Sequence, residues 1–214
     1  MRITMIVLFN IPLLLVGQTC SVDLNVNGTV DGSDLLELLS MFGEVCSEEF
    51  ANSPVISEIH YNPSPAQGSY SHWEFIEIYN PHSVSLDLSG MSLSANTLNQ
   101  LPSSTFLSPK RDLVLCTNID SYNGELPNGT MLFSLNSEED LNNSGELIQL
   151  ISSSGHVLDD VEYSDYNGWS TEADGLGASL EWKGFEYDNS IPESWQASNN
   201  MGGSPGAPNS TWAD

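Results

Sequence analysis

The chain has 214 residues, with 4 Lys and Arg against 29 Asp and Glu, and a formal net charge of −25. That length suits one medium domain with a small appendage, large enough to bury a core of its own. A surface so acidic repels phosphate backbones, which argues against nucleic acid as a partner. It leaves cations, basic surfaces and uncharged polymers, or simply an acidic coat that keeps an exported protein soluble in a salty medium.

The first segment reads as a processing signal. Met1, Arg2 and Thr4 lead into an apolar run from Ile6 to Val16, broken only by Asn10 and Pro12 and followed by Gly17. A basic start, a short apolar stretch and a small residue make residues 1–17 a signal peptide. The run is too short for a membrane span, and no later stretch stays apolar for about 18 residues. The expected location is therefore extracellular, either secreted or at the cell surface.

Residues 23–34, DLNVNGTVDGSD, carry a calcium-loop pattern. Asp23, Asn25 and Asn27 hold positions one, three and five, Gly28 the sixth, and Asp34 the twelfth, where EF-hands carry Glu. Ca²⁺ takes six to eight oxygen ligands, and the chain must turn sharply at the sixth position, which favours glycine. Thr29 would offer its carbonyl, Asp31 a direct or water-mediated contact, and Asp34 the closing carboxylate. One Ca²⁺ site of modest affinity is expected, since two Asn ligands lower its charge; the alternative is an Asx-rich turn that caps a helix without metal. A helix should follow, with Leu35, Leu36, Leu38, Leu39 and Phe42 on one face, Ser33 or Asp34 as N-cap and Gly43 at its end. Cys20 and Cys46 bracket this module, residues 20–46, and are expected to pair in an oxidising compartment, because so small a unit needs a staple and a metal. The segment resembles one repeat of a dockerin, as found in secreted bacterial proteins. Asn27 stands where that pattern has Asp, and one repeat is present where cohesin-binding dockerins have two.

After a polar linker, residues 47–53, the periodicity changes from helical to alternating. Strands are predicted at Val55–Tyr61, Trp73–Tyr79, Val84–Leu88, around Leu93, Leu113–Cys116, Met131–Phe133, Leu147–Ile151, Val157–Tyr163 and Ser179–Trp182, with Ser152–Gly155 as a hairpin turn. Short strands punctuated by Gly, Pro, Asn and Ser predict an all-β sandwich. Gly90 and Gly155 suit turns of positive φ, Glu77 and Asn80 should tie backbone groups, and Gly203–Gly206 should close the domain as a rigid turn. Cys116, in an apolar run, is expected to be buried and inert.

These pieces resemble, in order, the lamin tail domain. ISEIHYNP (56–63) precedes EFIEIYNPHSVSLDLSGMSLS (74–94), then Phe106, the VLC strand, LNNSGELIQLISSSGHVLDDVEYSD (141–165), Trp169, GASLEW (177–182), Trp195 and GGSPGAPN (202–209). The resemblance runs over residues 54–210, leaving 211–214 as a tail, and implies an immunoglobulin-like β-sandwich of the kind known from nuclear lamins and many secreted bacterial proteins. The signal peptide, the acidity and the calcium loop point to export rather than the nucleus.

A catalytic constellation is not legible. His60, His72, His82 and His156 are scattered and read as surface or turn residues, with no zinc spacing among them. No nucleophile elbow or phosphate loop occurs. The pairs Glu74/Glu77 and Asp159/Asp160 could imitate a glycosidase dyad, but adjacent residues of a strand point to opposite faces. Trp73, Trp182 and Trp195 read as core or seam residues rather than a sugar-binding face, and Trp212 as loose beyond the domain. The expectation is a non-enzymatic, calcium-binding adhesion or binding module of a bacterial cell surface or extracellular matrix, whose partner is an extracellular protein or polysaccharide. The alternatives are a structural accessory that self-associates through its sheet edges, and a hydrolase with an unrecognised site.

Overall fold

The computed structural model describes residues 32–40, 52–69, 72–95, 97–135 and 140–212. The chain divides into two compact units, Met1–Ala51 and Asn52–Asp214. In the first, helix α1 spans Gly32–Ser40, with Leu35, Leu36 and Leu39 exposed. The helix starts earlier than predicted, so Ser33 and Asp34 lie in its first turn. Residues 23–31, Cys20, Cys46, Phe42 and Gly43 lie outside the described residues.

The second unit is all-β, apart from short 3₁₀ turns. Its strands are β1 (Val55–His60), β2 (Phe75–Tyr79), β3 (Leu86–Asp87), β4 (Ser92–Ala95), β5 (Thr97–Gln100), β6 (Phe106–Leu107), β7 (Asp112–Cys116), β8 (Met131–Ser134), β9 (Gly145–Ile151), β10 (Val157–Ser164), β11 (Leu180–Trp182) and β12 (Trp195–Ala197). One sheet runs β12-β11-β1-β2-β7-β8 and the other β10-β9-β4-β5, while β3 and β6 form a separate ribbon. All pairs are antiparallel except β7 with β8. The predicted hairpin joins β9 to β10, where the Gly155 N–H donates to Ser152 O at 3.0 Å and the Ser152 N–H to His156 O at 2.8 Å.

The core forms because each strand turns one row of apolar side chains inward. Ile76 and Ile78 of β2, Leu113 and Leu115 of β7, and Leu180 and Trp182 of β11 share one buried cluster with Leu93, Ile148, Leu150 and Val161 of the other sheet. Each such side chain contributes about 1.5–3 kcal/mol by leaving water. Strand β1 carries a register shift between Ile56 and Glu58. That bulge explains an otherwise discordant sequence: Ile56 and Ile59, three apart, both reach the core, while Glu58 and His60 go to the opposite face.

Asn80 fixes the exit from β2. It is buried, and its amide donates to the carbonyls of Val84 (2.9 Å), Leu107 (3.0 Å) and Ser108 (3.0 Å), while its Oδ1 accepts from the His82 N–H at 2.9 Å. Asn80→Ala removes the donor these three carbonyls share, with only Leu107 O keeping a second one from the Ser85 hydroxyl (3.2 Å), and is expected to cost about 2 kcal/mol, read as a lowered urea midpoint at unchanged m-value. Trp212, predicted to lie loose beyond the domain, is instead packed. Its indole N–H donates to Trp182 O at 2.6 Å, and its ring lies edge-on to Tyr79 at 5.1 Å.

Candidate functional site

The outer face of the six-stranded sheet carries a row of glutamates. The register places Glu58 of β1 opposite both Glu181 of β11 and Glu77 of β2. An outward row on a strand is ordinarily wet, yet all three are 0% exposed. The cover is segment 203–211. Its Ser204 N–H donates to Glu58 Oε1 (2.9 Å), its Ser204 hydroxyl to Glu181 Oε1 (2.7 Å), its Gly206 N–H to Glu77 Oε2 (2.6 Å), and its Ser210 hydroxyl and Thr211 N–H to Glu181 Oε2 (2.8 and 3.0 Å). From the sheet itself, Ser57 donates to Glu77 Oε1 at 2.6 Å and Ser179 to Glu58 Oε1. Asn209 pins the segment further, donating to Ser57 O and Trp182 O, both at 2.9 Å. The turn predicted at Gly203–Gly206 lies one residue on, at Ser204–Ala207, with the Ala207 N–H donating to Ser204 O at 3.0 Å. It is also part of a strap anchored on carboxylates.

Among the described residues no cation neutralises this row. Lys110 donates to Pro81 O and sits 5.4 Å from the Phe185 ring, Lys183 donates to Glu193 O at 2.6 Å, and Arg111 acts on Asp112. Burial therefore dominates, because a desolvated carboxylate is costly. It pushes the Glu58 carboxyl up to about 8, helped by the charge of Glu181 and opposed by the hydrogen bonds from Ser179 and Ser204. Glu77 is raised well above the usual range by burial, then by Glu58 and Asp112. Asp112 itself is raised by burial to about 6, with Arg111 pulling the other way. Burial therefore favours the protonated forms of Glu58 and Glu77.

A carboxyl with a raised pKa has the acidity of a general acid. Here it lacks access: the oxygens are engaged and the side chains are covered. A groove of about 690 Å³ runs beside the strap, between residues 200–207 and the 123–127 loop, with Trp73, Glu125, Leu126 and Met201 among its walls. None of the three glutamates lines it. The groove can hold a ligand by shape and by its aromatic and polar walls, while the row beneath the strap sets the position of one of those walls.

The acid pairs suggested by the sequence do not converge. Glu74 Oε2 accepts the Leu141 N–H at 2.8 Å, whereas Glu77 engages Gly206. Asp159 turns inward to accept the Ile56 N–H (2.6 Å) and the Asn189 amide (2.8 Å), and Asp160 is exposed. His60, expected at the surface or in a turn, is buried in β1; its Nδ1 lies 2.8 Å from Trp73 O, and burial lowers its pKa to about 4. Cys116 is buried and free, its thiol pushed by burial up to about 11. Trp182 and Trp195 are core residues, as expected. Among the described residues no three His, Cys, Asp or Glu side chains are placed to hold a metal ion. Of the calcium-loop positions, Asp23, Asn25, Asn27, Thr29 and Asp31 lie outside the described residues, and Asp34 falls in α1.

A family model described as Lamin Tail Domain matches residues 49–165. The match takes in β1 to β10, with Glu58 and Glu77; Glu181 and the strap lie beyond it, in residues the sequence resemblance also covered. No curated protein matches the chain.

Proposed function

The chain belongs to the lamin tail domain family, and we propose that this member is a secreted, calcium-binding module that holds an extracellular protein or polysaccharide at a bacterial cell surface or in an extracellular matrix. The family is a β-sandwich used for binding and structure. Export is supported by the leader-like segment 1–17, and a non-catalytic role by closely set carboxylates that spend their oxygens on the domain's own donors. The observation that carries the calcium assignment is the run from DLNVNGTVDGSD straight into α1, the loop–helix order a calcium hand requires. The dockerin-like character of that module and a Cys20–Cys46 bridge belong to the same proposal. Groove walls bearing Trp73 and Met201, and the exposed side chains of Tyr166, Phe185 and Tyr187, give a partner apolar surface within a strongly acidic field.

Calorimetric titration of the full chain with Ca²⁺ is the test. About one ion is expected to bind, and Asp23→Ala should abolish the heat. A flat isotherm for the wild type would reduce the loop to a helix-capping turn. A second reading, self-association, is favoured by β5, which ends the four-stranded sheet and leaves Leu98 64% exposed. Sedimentation that depends on protein concentration would favour it over the leading one.

A further inference from the structure

We propose that residues 203–211 form a proton-controlled strap over the Glu58–Glu77–Glu181 row, closed while Glu58 and Glu77 hold protons and lifted when these two ionise, so that one wall of the adjoining groove opens with rising pH.

The geometry confines the response to the strap. The three glutamates sit on neighbouring strands at matched register, so their carboxyls cannot separate without breaking β1–β2 or β1–β11 pairing. On the other side, the strap is held by its hydrogen bonds to these carboxyls, the Asn209 amide bonds to Ser57 O and Trp182 O, and the Asn199 bonds to Ser210. Residues 198–212 contain no charged side chain to answer a negative row. A row that ionises must be hydrated, and lifting a short segment is a smaller opening than unfolding a sheet.

The groups facing the row are identifiable on each packed element. Asp112 of β7 adds negative charge next to Glu77. Tyr122, from the loop after β7, feels both Glu58 and Glu77 and is itself raised by burial. His60 and Cys116 lie on the same outer face, one register step along, the first neutral and the second protonated at pH 7. Arg111 bears on Asp112 and not on the glutamates. These groups supply no positive charge to the row as it ionises. Because residues 200–207 also wall the groove, lifting the strap widens it.

Hydrogen–deuterium exchange on the full chain, corrected for the pH dependence of chemical exchange, reads the strap directly. Protection of the Ser204, Gly206 and Thr211 amides is expected to fall at least about tenfold between about pH 6 and pH 9.5, while the β9–β10 hairpin keeps its protection. Glu77→Gln, which removes one ionisable carboxyl but keeps its shape, should reduce that fall at least about threefold, and the Glu58→Gln/Glu77→Gln pair should remove most of it. Strap protection unchanged at high pH in the wild type overturns the proposal. So does loss in step with β9–β10, which would be global unfolding, and so does a folded Glu77→Gln variant that opens as the wild type does. The wild-type comparison decides even if the double variant fails to fold.

Discussion

The thermal midpoint of the full chain is expected to fall by about 10 °C between about pH 5.5 and pH 9. The direction follows from the raised carboxyls of Glu58 and Glu77. A carboxyl raised from 4.5 to about 8 binds its proton more tightly in the folded state than in the unfolded chain. Its stabilising contribution is complete below about 4.5 and is lost as pH rises through about 8. Glu74, raised to about 8 chiefly by burial, acts in the same sense. A tenfold difference in proton affinity between the folded and unfolded states corresponds to about 1.4 kcal/mol, but the carboxyls are coupled and hydrogen-bonded, so the expected total is on the order of 4 kcal/mol. At 2–4 °C per kcal/mol for a chain of this size, that gives about 10 °C. His60 works from the other side. Its pKa is held down to about 4, so its contribution is present above about 6.5 and is lost as pH falls. The stability maximum should therefore lie at mildly acidic pH. Calorimetric scans across the range test this, with Glu58→Gln expected to flatten the alkaline limb by about half. A midpoint that rises above pH 6 would mean that the serine and backbone donors outweigh burial and hold the row ionised.

Much of the sandwich was legible because most of its strands are short apolar or alternating runs between turn residues. FIEIY sets Glu77 between two isoleucines, DLVLC is a short unbroken apolar run, and GELIQLI keeps Ile148 and Leu150 two apart on one face; all three are strands. The strands not predicted, β5, β6 and β12, are short and sit at edges or in a ribbon. TLNQ offers a single apolar side chain, Leu98, and that one faces solvent; an edge strand needs no inward row to be held by its neighbour's ladder. Asp159 and Asp160 separated to opposite sides as strand geometry requires, and Gly90 and Gly155 take positive φ, +74° and +92°.

The glutamate row was only half legible. FIEIY and SLEW each set a Glu between apolar residues, which identifies the outward face of a strand, whereas in ISEIH the bulge hides that pattern. Nothing local says that three such positions share a register, because register is set by pairings between separate strands, and Glu181 is more than a hundred residues from Glu58. Nothing local says that the face is covered, either. The covering segment reads as Gly, Ser, Pro and Asn, a composition that signals turns and not a lid over charge. His60 misled for the same reason: a lone histidine near a strand end reads as exposed until its outward neighbours are known to be roofed.

The roof makes Gly203 an exacting position. Gly203→Ala is expected to cost about 4 kcal/mol, and Gly155→Ala only about 1 kcal/mol, although both glycines have positive φ, +78° and +92°. The backbone share is similar at the two sites, about 1–2 kcal/mol for an L-residue in the left-handed region. The surroundings differ. At Gly155 a Cβ meets nothing within 4 Å, whereas at Gly203 it would overlap Glu58 Oε1 and come within 2.6 Å of Ser179 Oγ. The buried carboxyl would have to withdraw from the Ser204 N–H and the Ser179 hydroxyl, its principal donors, which adds about 2 kcal/mol or more. Denaturant titration of the two variants side by side measures the difference. A larger loss at Gly203 on the alkaline side of neutrality would tie it to the ionisation of Glu58. Equal losses at both sites would mean that the strap yields to a methyl group at little cost, and that the glutamate row is not held by its cover.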